Sequence, residues 1–471
     1  WQRVAAPCAN PNNIQFPCHE NCNRVMKIVI AGAGEVGSHL AKLLSREEQD
    51  IILMDRDSER LARLDANYNL MTKNGAPTSL RDLRDAGVDS CDLFIAVTPF
   101  ENTNLVSCEI AKKLGARRTV ARIDNYEFLA GENREMFAGL GVDHLIYPEV
   151  LAAQEICTAL KRPWVRNWFE LHQGELIVVG VKLRENASLI GRKLRDITFE
   201  QHNYHVSAIK RRHETIIPRG DDEIREGDIL YFTTTREYID EIRTICGKRQ
   251  YKIKKVMIMG GSRIAVRLAH MASADYDLTI IDDNIEVCRR LPHKCSGCNV
   301  SIIHGDARNN DVLTEENISA MDAFVALTDF SETNILACLT AKEFMVNKTI
   351  AEVENIQFIS EAEGLNIGTV INKKLLASSK IFQLMLDADE SSAKFMALAD
   401  AEVAELEAKP GSKITKAPVM DLKLSRDLTI AGLIRKGKGM LVDGRTRIEP
   451  GDHVVVFCLS GSIHKVEKLF V

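Results

Sequence analysis

Gly32, Gly34 and Gly37, with Asp55 18 positions beyond the last of them, have the spacing that holds a dinucleotide. The run KIVIAGAGEVG, from Lys27 to Gly37, sets these glycines at the end of an apolar strand. Gly32 permits the tight turn, Gly34 lets the backbone approach a pyrophosphate, and Gly37 lets helix and strand pack closely. The helix that follows offers free amides and the positive end of its dipole to phosphate. The loop Gly32, Ala33, Gly34, Glu35, Val36 is therefore the expected cradle. Asp55 is expected to accept hydrogen bonds from ribose hydroxyls and to repel a 2′-phosphate, which favours NAD(H) or ATP/ADP over NADP. Thr98, followed by Pro99, closes a strand at the carboxyl edge where ligands sit in such sheets. Arg122 closes the next strand within reach of a phosphate. The alternatives are a sheet of this kind that binds no nucleotide, and an Arg122 that is only a surface residue at a strand end.

The same unit returns 228 residues later as KVMIMGGSRIA, from Lys255 to Ala265. Gly260, Gly261, Ser262, Arg263 and Ile264 occupy the loop positions, with Asp282 and Thr328 in place of Asp55 and Thr98. Ser262 and Ala265 stand where the first copy has glycines, and Glu352 stands where it has Arg122. The serine side chain crowds the approach of a pyrophosphate, and the Arg-to-Glu exchange replaces attraction with repulsion. The second site is expected to bind an anionic nucleotide more weakly, to bind a different one, or to be vestigial.

Other reactive residues do not assemble into a site. Cys295 and Cys298, with His293 and His304 nearby, have zinc binding or a redox pair as alternatives to a plain cysteine-bearing loop but lack the second ligand pair of a structural zinc centre, and a metal knuckle on Cys18, His19 and Cys22 lacks a clear fourth ligand. His205 and His213 flank the basic stretch Lys210-Arg211-Arg212, which reads as a solvated strand end. No acid, base or nucleophile constellation stands out, so no catalytic residue and no metal ligand is assigned, and the chain is not expected to be an enzyme.

Positioning these loops requires strands alternating with helices. Ile28–Ala31, Ile51–Met54, Leu93–Val97 and Thr119–Ile123 read as buried parallel strands, with a helix from about Ser38 to Arg46 after the glycines. The fold class is α/β: two Rossmann-like doubly wound parallel-sheet domains, each followed by a small α+β C-terminal module. Expected boundaries are a disordered leader or added extension at 1–25, a first nucleotide-binding domain at 26–148, a linking helix at 149–166 and a first small module at 167–248. A second Rossmann-like domain follows at 254–373, then a linking helix at 374–400 and a second small module at 401–471. Phe324–Cys338 reproduces Phe94–Cys108 nearly position by position, and Gly444 with Gly451-Asp452 repeats the spacing of Gly220 with Gly227-Asp228, so the order is a tandem duplication.

Composition agrees. A length of 471 residues exceeds a single core, and 45% hydrophobic with 27% charged residues excludes dominant disorder. A net charge of −5 recommends no nucleic-acid partner. No run approaches the roughly 18 apolar residues of a membrane span. Cys91, Cys108, Cys157, Cys338 and Cys458 lie in apolar segments and read as small core residues in a reducing compartment.

KIVIAGAGEVG with Asp55, the Glu101–Asn104 segment ENTN, and Ala121-Arg122-Ile123 resemble the regulator-of-potassium-conductance (RCK, or KTN) family. Pro218-Arg219-Gly220 and Gly227-Asp228 resemble that family's C-terminal module. Two such pairs over residues 26–471 resemble the peripheral regulatory subunits of potassium uptake systems. The resemblance implies a cytoplasmic NAD(H)- and ATP/ADP-binding protein, peripheral on the inner face of the cell membrane. It also implies a homo-oligomeric, tetrameric ring beneath a membrane-embedded potassium channel or transporter subunit, gated by nucleotide occupancy. Gly32 to Val36, Asp55, Thr98 and Arg122 would form the first site, and Gly260 to Ile264, Asp282 and Thr328 the second. The rival readings are an NAD-dependent oxidoreductase and a regulator of a different cation transporter or antiporter. The amphipathic helices Glu149–Leu160 and Lys374–Leu386 are candidate dimerisation and hinge elements.

Overall fold

The structure is a computed structural model that describes residues 25–45, 49–66, 68, 70–200, 203–212, 214–386, 394–398, 401–459 and 462–470. The leader, with Cys18, His19 and Cys22, and the flanking His213 lie outside the described residues.

Apolar runs at the predicted places form a six-stranded parallel sheet. Its strands are β1 (Lys27–Ala31), β2 (Asp50–Asp55), β3 (Met71–Asn74), β4 (Leu93–Ala96), β5 (Arg118–Arg122) and β6 (His144–Ile146), in the order β3-β2-β1-β4-β5-β6. Both faces of β1 are covered: Ile28 and Ile30 join one core, Val29 and Ala31 another. Reversal of strand order between β1 and β4 opens a crevice at their carboxyl ends, where the first glycine loop lies.

Next comes an antiparallel sheet of β7 (Asn167–Leu171), β8 (Leu176–Lys182), β9 (Tyr204–Arg211), β10 (Glu214–Ile216) and β11 (Ile229–Thr234), ordered β10-β9-β11-β8-β7. The edge strands β7 and β10 have no clean apolar alternation, which hid them in the sequence. The plan then repeats. Strands β12 (Lys255–Met259), β13 (Asp277–Asp282), β14 (Val300–His304), β15 (Ala323–Ala326), β16 (Lys348–Glu352) and β17 (Thr369–Ile371) take the same parallel order as the first sheet. Strands β18 (Lys394–Leu398), β19 (Ala401–Glu407), β20 (Leu428–Arg435), β21 (Lys438–Leu441) and β22 (His453–Leu459) form the second antiparallel sheet, ordered β18-β19-β22-β20-β21.

The repeated Gly-Asp pairs have a structural cause. Gly227 and Gly451 take positive φ values of 83° and 87°. The aspartates after them are buried and receive forked hydrogen bonds at 2.9 and 2.7 Å, Asp228 from Arg211 and Asp452 from Arg435.

The two halves exchange helices. Ala152, Ala153 and Ile156, on the helix Pro148–Lys161, pack into one core with Ile264, Leu268 and Ala269 of the helix Arg263–Ala272. Ala377, Ile381 and Phe382, on the helix Lys373–Leu386, pack with Val36, Leu40 and Leu44 of the helix Glu35–Leu44. The apolar stripes of these candidate dimerisation and hinge elements pack within the chain, where they join its two halves. The small modules also meet face to face, with Val178, Ile229 and Tyr231 against Val403, Val455 and Phe457.

Candidate nucleotide site

The first loop is built as the glycine spacing demands. Gly32 has φ +111°, and a Cβ there would come within 2.9 Å of the Thr98 amide nitrogen. A Cβ on Gly37 would lie 1.8 Å from the carbonyl oxygen of Gly32. Gly34 differs: its φ is −66°, it makes no side-chain cap, and a Cβ there would meet nothing within 4 Å. Glycine at position 34 is therefore not needed by the protein's own packing. It leaves an uncapped helix N-terminus facing open space, the arrangement that accepts a phosphate. The helix starts at Glu35, not near Ser38, so Glu35 and Val36 lie in its first turn.

Asp55 braces this loop. Its carboxylate accepts hydrogen bonds from the amides of Ala33 (2.6 Å) and Asp57 (2.9 Å). Asp282 does the same for Gly261 (2.7 Å) and Asn284 (2.8 Å). Thr98 is engaged by Asn104, whose side-chain oxygen accepts from the Thr98 amide (2.9 Å) and hydroxyl (2.6 Å). The Asn104 amide group donates on to the carbonyls of Thr98 and Arg122, clasping the ends of β4 and β5. Asn334 repeats the clasp on Thr328 and Glu352, so this asparagine, and not only the threonine, explains the recurring segment. Pro99 is exposed beside it.

Arg122 lies against Asp124, at 3.3 Å, and its Nε is buried with no hydrogen-bond partner. Asp124 also receives Arg263, from the second glycine loop, at 3.3 Å. The carboxyl edge of the first sheet thus touches the loop of the second. The reciprocal contact is made by Lys374, which pairs with Glu35 of the first loop and with Glu354 (3.1 Å).

A cleft of about 910 Å³ opens between these surfaces. Ala33, Gly34 and Glu35 line it from the first half, together with the cationic side chains Lys42, Arg60 and Arg63. Phe330, Glu354 and Lys374 line it from the second half. Asp55, Thr98 and Arg122 do not line it; they sit behind the loop or at the sheet edge. The sequence reading missed Arg60 and Arg63, although two arginines three residues apart on the helix after Asp55 were a usable signal. The wall contributed by Phe330 and Lys374 had none, because it comes from the other half of the chain.

The second loop closes on itself. Gly260 keeps the positive φ, +97°, but the Ser262 hydroxyl caps its own helix by accepting from the Ala265 amide at 3.4 Å. One amide that a phosphate would use is already satisfied. Ile264 and Ala265 are buried in the core beneath, and Arg263 is held by Asp124.

Glu352, at the Arg122 position, is 3% exposed and pairs with Lys373 at 3.2 Å. Burial pushes its carboxyl up to about 7, Glu354 adds to the rise and Lys373 opposes it. A carboxyl that takes its proton more readily folded than unfolded contributes stability below the ordinary carboxylate range and loses it as pH rises through about 7. Glu352→Gln, which leaves Glu354 to pair with Lys373, is therefore expected to raise the melting temperature at pH 8 and leave it nearly unchanged at pH 5. Thermal unfolding at the two pH values checks this; a larger loss at pH 8 than at pH 5 would contradict it.

Comparison with known proteins places these features in a family. The model for the TrkA-N domain matches residues 28–148 and 256–373, and that for the TrkA-C domain matches 178–247 and 403–471. The Trk system potassium uptake protein TrkA of Vibrio alginolyticus is 30% identical over 455 residues, covering 94% of this chain and 98% of that protein. Its counterpart in Halomonas elongata is 29% identical over 452 residues, with the same coverage. Among solved structures, the GsuK RCK domain superposes with a TM-score of 0.58 at 13% identity over 95% of each chain. The GsuK channel bound to NAD gives 0.57 at 13% identity, over 95% of this chain and 79% of that one. These two likenesses establish the RCK-type fold.

Proposed function

Because this chain belongs to the family built from TrkA-N and TrkA-C domains, as Trk system potassium uptake proteins are, we propose that it is a nucleotide-sensing regulatory subunit of a potassium channel or transporter. Its partner is a TrkH-like membrane subunit, and its working form is a tetrameric ring on the inner face of the cell membrane. No helix among the described residues is long and apolar enough to cross a membrane. The observation that carries the nucleotide part is the uncapped helix N-terminus at Gly34, open to a cleft walled by both halves. NAD(H) or ATP/ADP seats its phosphates on Ala33, Gly34 and Glu35, with Arg60 and Arg63 supplying positive charge, while Asp55 holds the loop from behind through the amides of Ala33 and Asp57.

The coupling is thermodynamic. A ligand shifts the protein between shapes only by its differential affinity for them. A nucleotide in the cleft touches Phe330, Glu354 and Lys374 as well as the first loop, so its binding energy depends on how the halves are set. The Lys374–Glu35 pair is one contact that a phosphate at the helix N-terminus must alter.

Rubidium flux in proteoliposomes holding a TrkH-like subunit, with this chain added, tests the reading. Flux that depends on the chain and changes with NADH, ATP or ADP is the expected result. Flux indifferent to every nucleotide, or to the chain itself, would overturn it.

A further inference from the structure

The joint between the two small modules has an apolar centre, and among the polar contacts that cross it one brings together three side chains of metal-ligating type. His172, in the turn between β7 and β8, meets Glu405 of β19 and His453 of β22. Glu405 is 2% exposed, and its Oε1 lies 3.1 Å from His172 Nδ1 and 3.5 Å from His453 Nδ1. The two rings are 5.4 Å apart, and each histidine side chain is about a third exposed, at 32% and 28%. His453 Nδ1 is itself a buried nitrogen with no hydrogen-bond partner.

Comparison of the repeats shows that this cluster is not required by the fold. Gly227-Asp228 aligns with Gly451-Asp452, so the first-module counterpart of His453 is Ile229; by the same strand pairing the counterpart of Glu405 is Gly180. Neither counterpart carries a polar side chain, and Ile229 belongs to the apolar core between the modules. Burying a carboxylate and an imidazole where the repeat uses Gly and Ile is unfavourable unless something neutralises and coordinates them.

We propose that His172, Glu405 and His453 form a binding site for a divalent transition-metal ion, zinc in the first instance, that staples the two small modules together. Two imidazoles and a carboxylate are the donor set that zinc accepts alongside a water. Zinc bonds of about 2.0–2.2 Å imply donor-to-donor edges of about 3.3 Å in a tetrahedron. The two measured edges, 3.1 and 3.5 Å, bracket that value, and all three donor atoms lie within 4.8 Å of one another. Access from solvent past the two partly exposed rings supplies the ion and leaves room for the fourth ligand. Because one ligand comes from the first module and two from the second, occupancy resists any motion that separates the modules.

Stripping the full chain with EDTA and titrating zinc by calorimetry tests the site. One zinc per chain is expected at this site, with affinity reduced at least 100-fold by His172→Asn and by His453→Gln. Asparagine suits the positive φ of 45° at position 172, so the first variant keeps its fold even if the second does not. Cobalt substitution separates this site from Cys295 and Cys298: a nitrogen–oxygen site gives tetrahedral cobalt bands with no thiolate charge-transfer band. Absence of zinc binding, unchanged affinity in His172→Asn, or a thiolate band lost only with the cysteines would overturn the assignment.

Discussion

Gly34→Ser is expected to abolish most nucleotide binding while leaving the fold intact. A Cβ at this position meets nothing in the protein, and the backbone there is of the extended type that any residue adopts. The second loop already shows the outcome, since Ser262 occupies the same place and caps its own helix. In the variant the new hydroxyl takes an amide that the phosphate needs and stands in its path. A hydrogen bond to a charged group is worth about 1.5–3 kcal/mol, which corresponds to roughly a 10- to 100-fold loss of affinity. The melting temperature should hold or rise slightly, because serine is the better N-cap. Titration of NADH or ADP, paired with thermal unfolding, checks both halves of the expectation. A stable variant that binds as tightly as the wild type would remove Gly34 from the site.

Ile156→Ala is expected to have the largest effect on stability. Ile156 is fully buried where the helix Pro148–Lys161 crosses onto the second half. Truncating such a side chain costs about 2–5 kcal/mol. For a chain of this size that is a fall of several degrees in melting temperature. Under conditions where the variant stays folded, its oligomeric mass by light scattering should equal that of the wild type, because the contact is made within one chain. Unchanged stability with a smaller assembly would return the helix to the role of an interface between chains.

The sequence carried the sheets well for a physical reason. Strands such as Ile28–Ala31 and Val256–Met259 are buried on both faces, so their apolar runs are unbroken. Glycine positions were legible because Gly32 and Gly37 are forced by backbone atoms that a Cβ would meet at 2.9 and 1.8 Å. The inequality of the two loops was also visible, in Ser262, although not its cause, the self-made cap. What could not be read was anything assembled from distant parts of the chain. The exchange of helices between halves, the wall of the cleft at Phe330 and Lys374, and the meeting of His172 with Glu405 and His453 leave no local pattern. Thr98, expected at the ligand edge because it ends a strand, also has a structural duty that Thr328 shares, its hydrogen bonds to the asparagine six residues on.

The central claim is that one nucleotide loop is open and the other is closed on itself. Calorimetric titration of NAD, NADH, ATP and ADP into the wild-type chain tests it most directly. The account predicts one tight site per chain for at least one of these nucleotides, with any second site at least tenfold weaker. Two equivalent sites per chain, or no binding of any of the four, would contradict it.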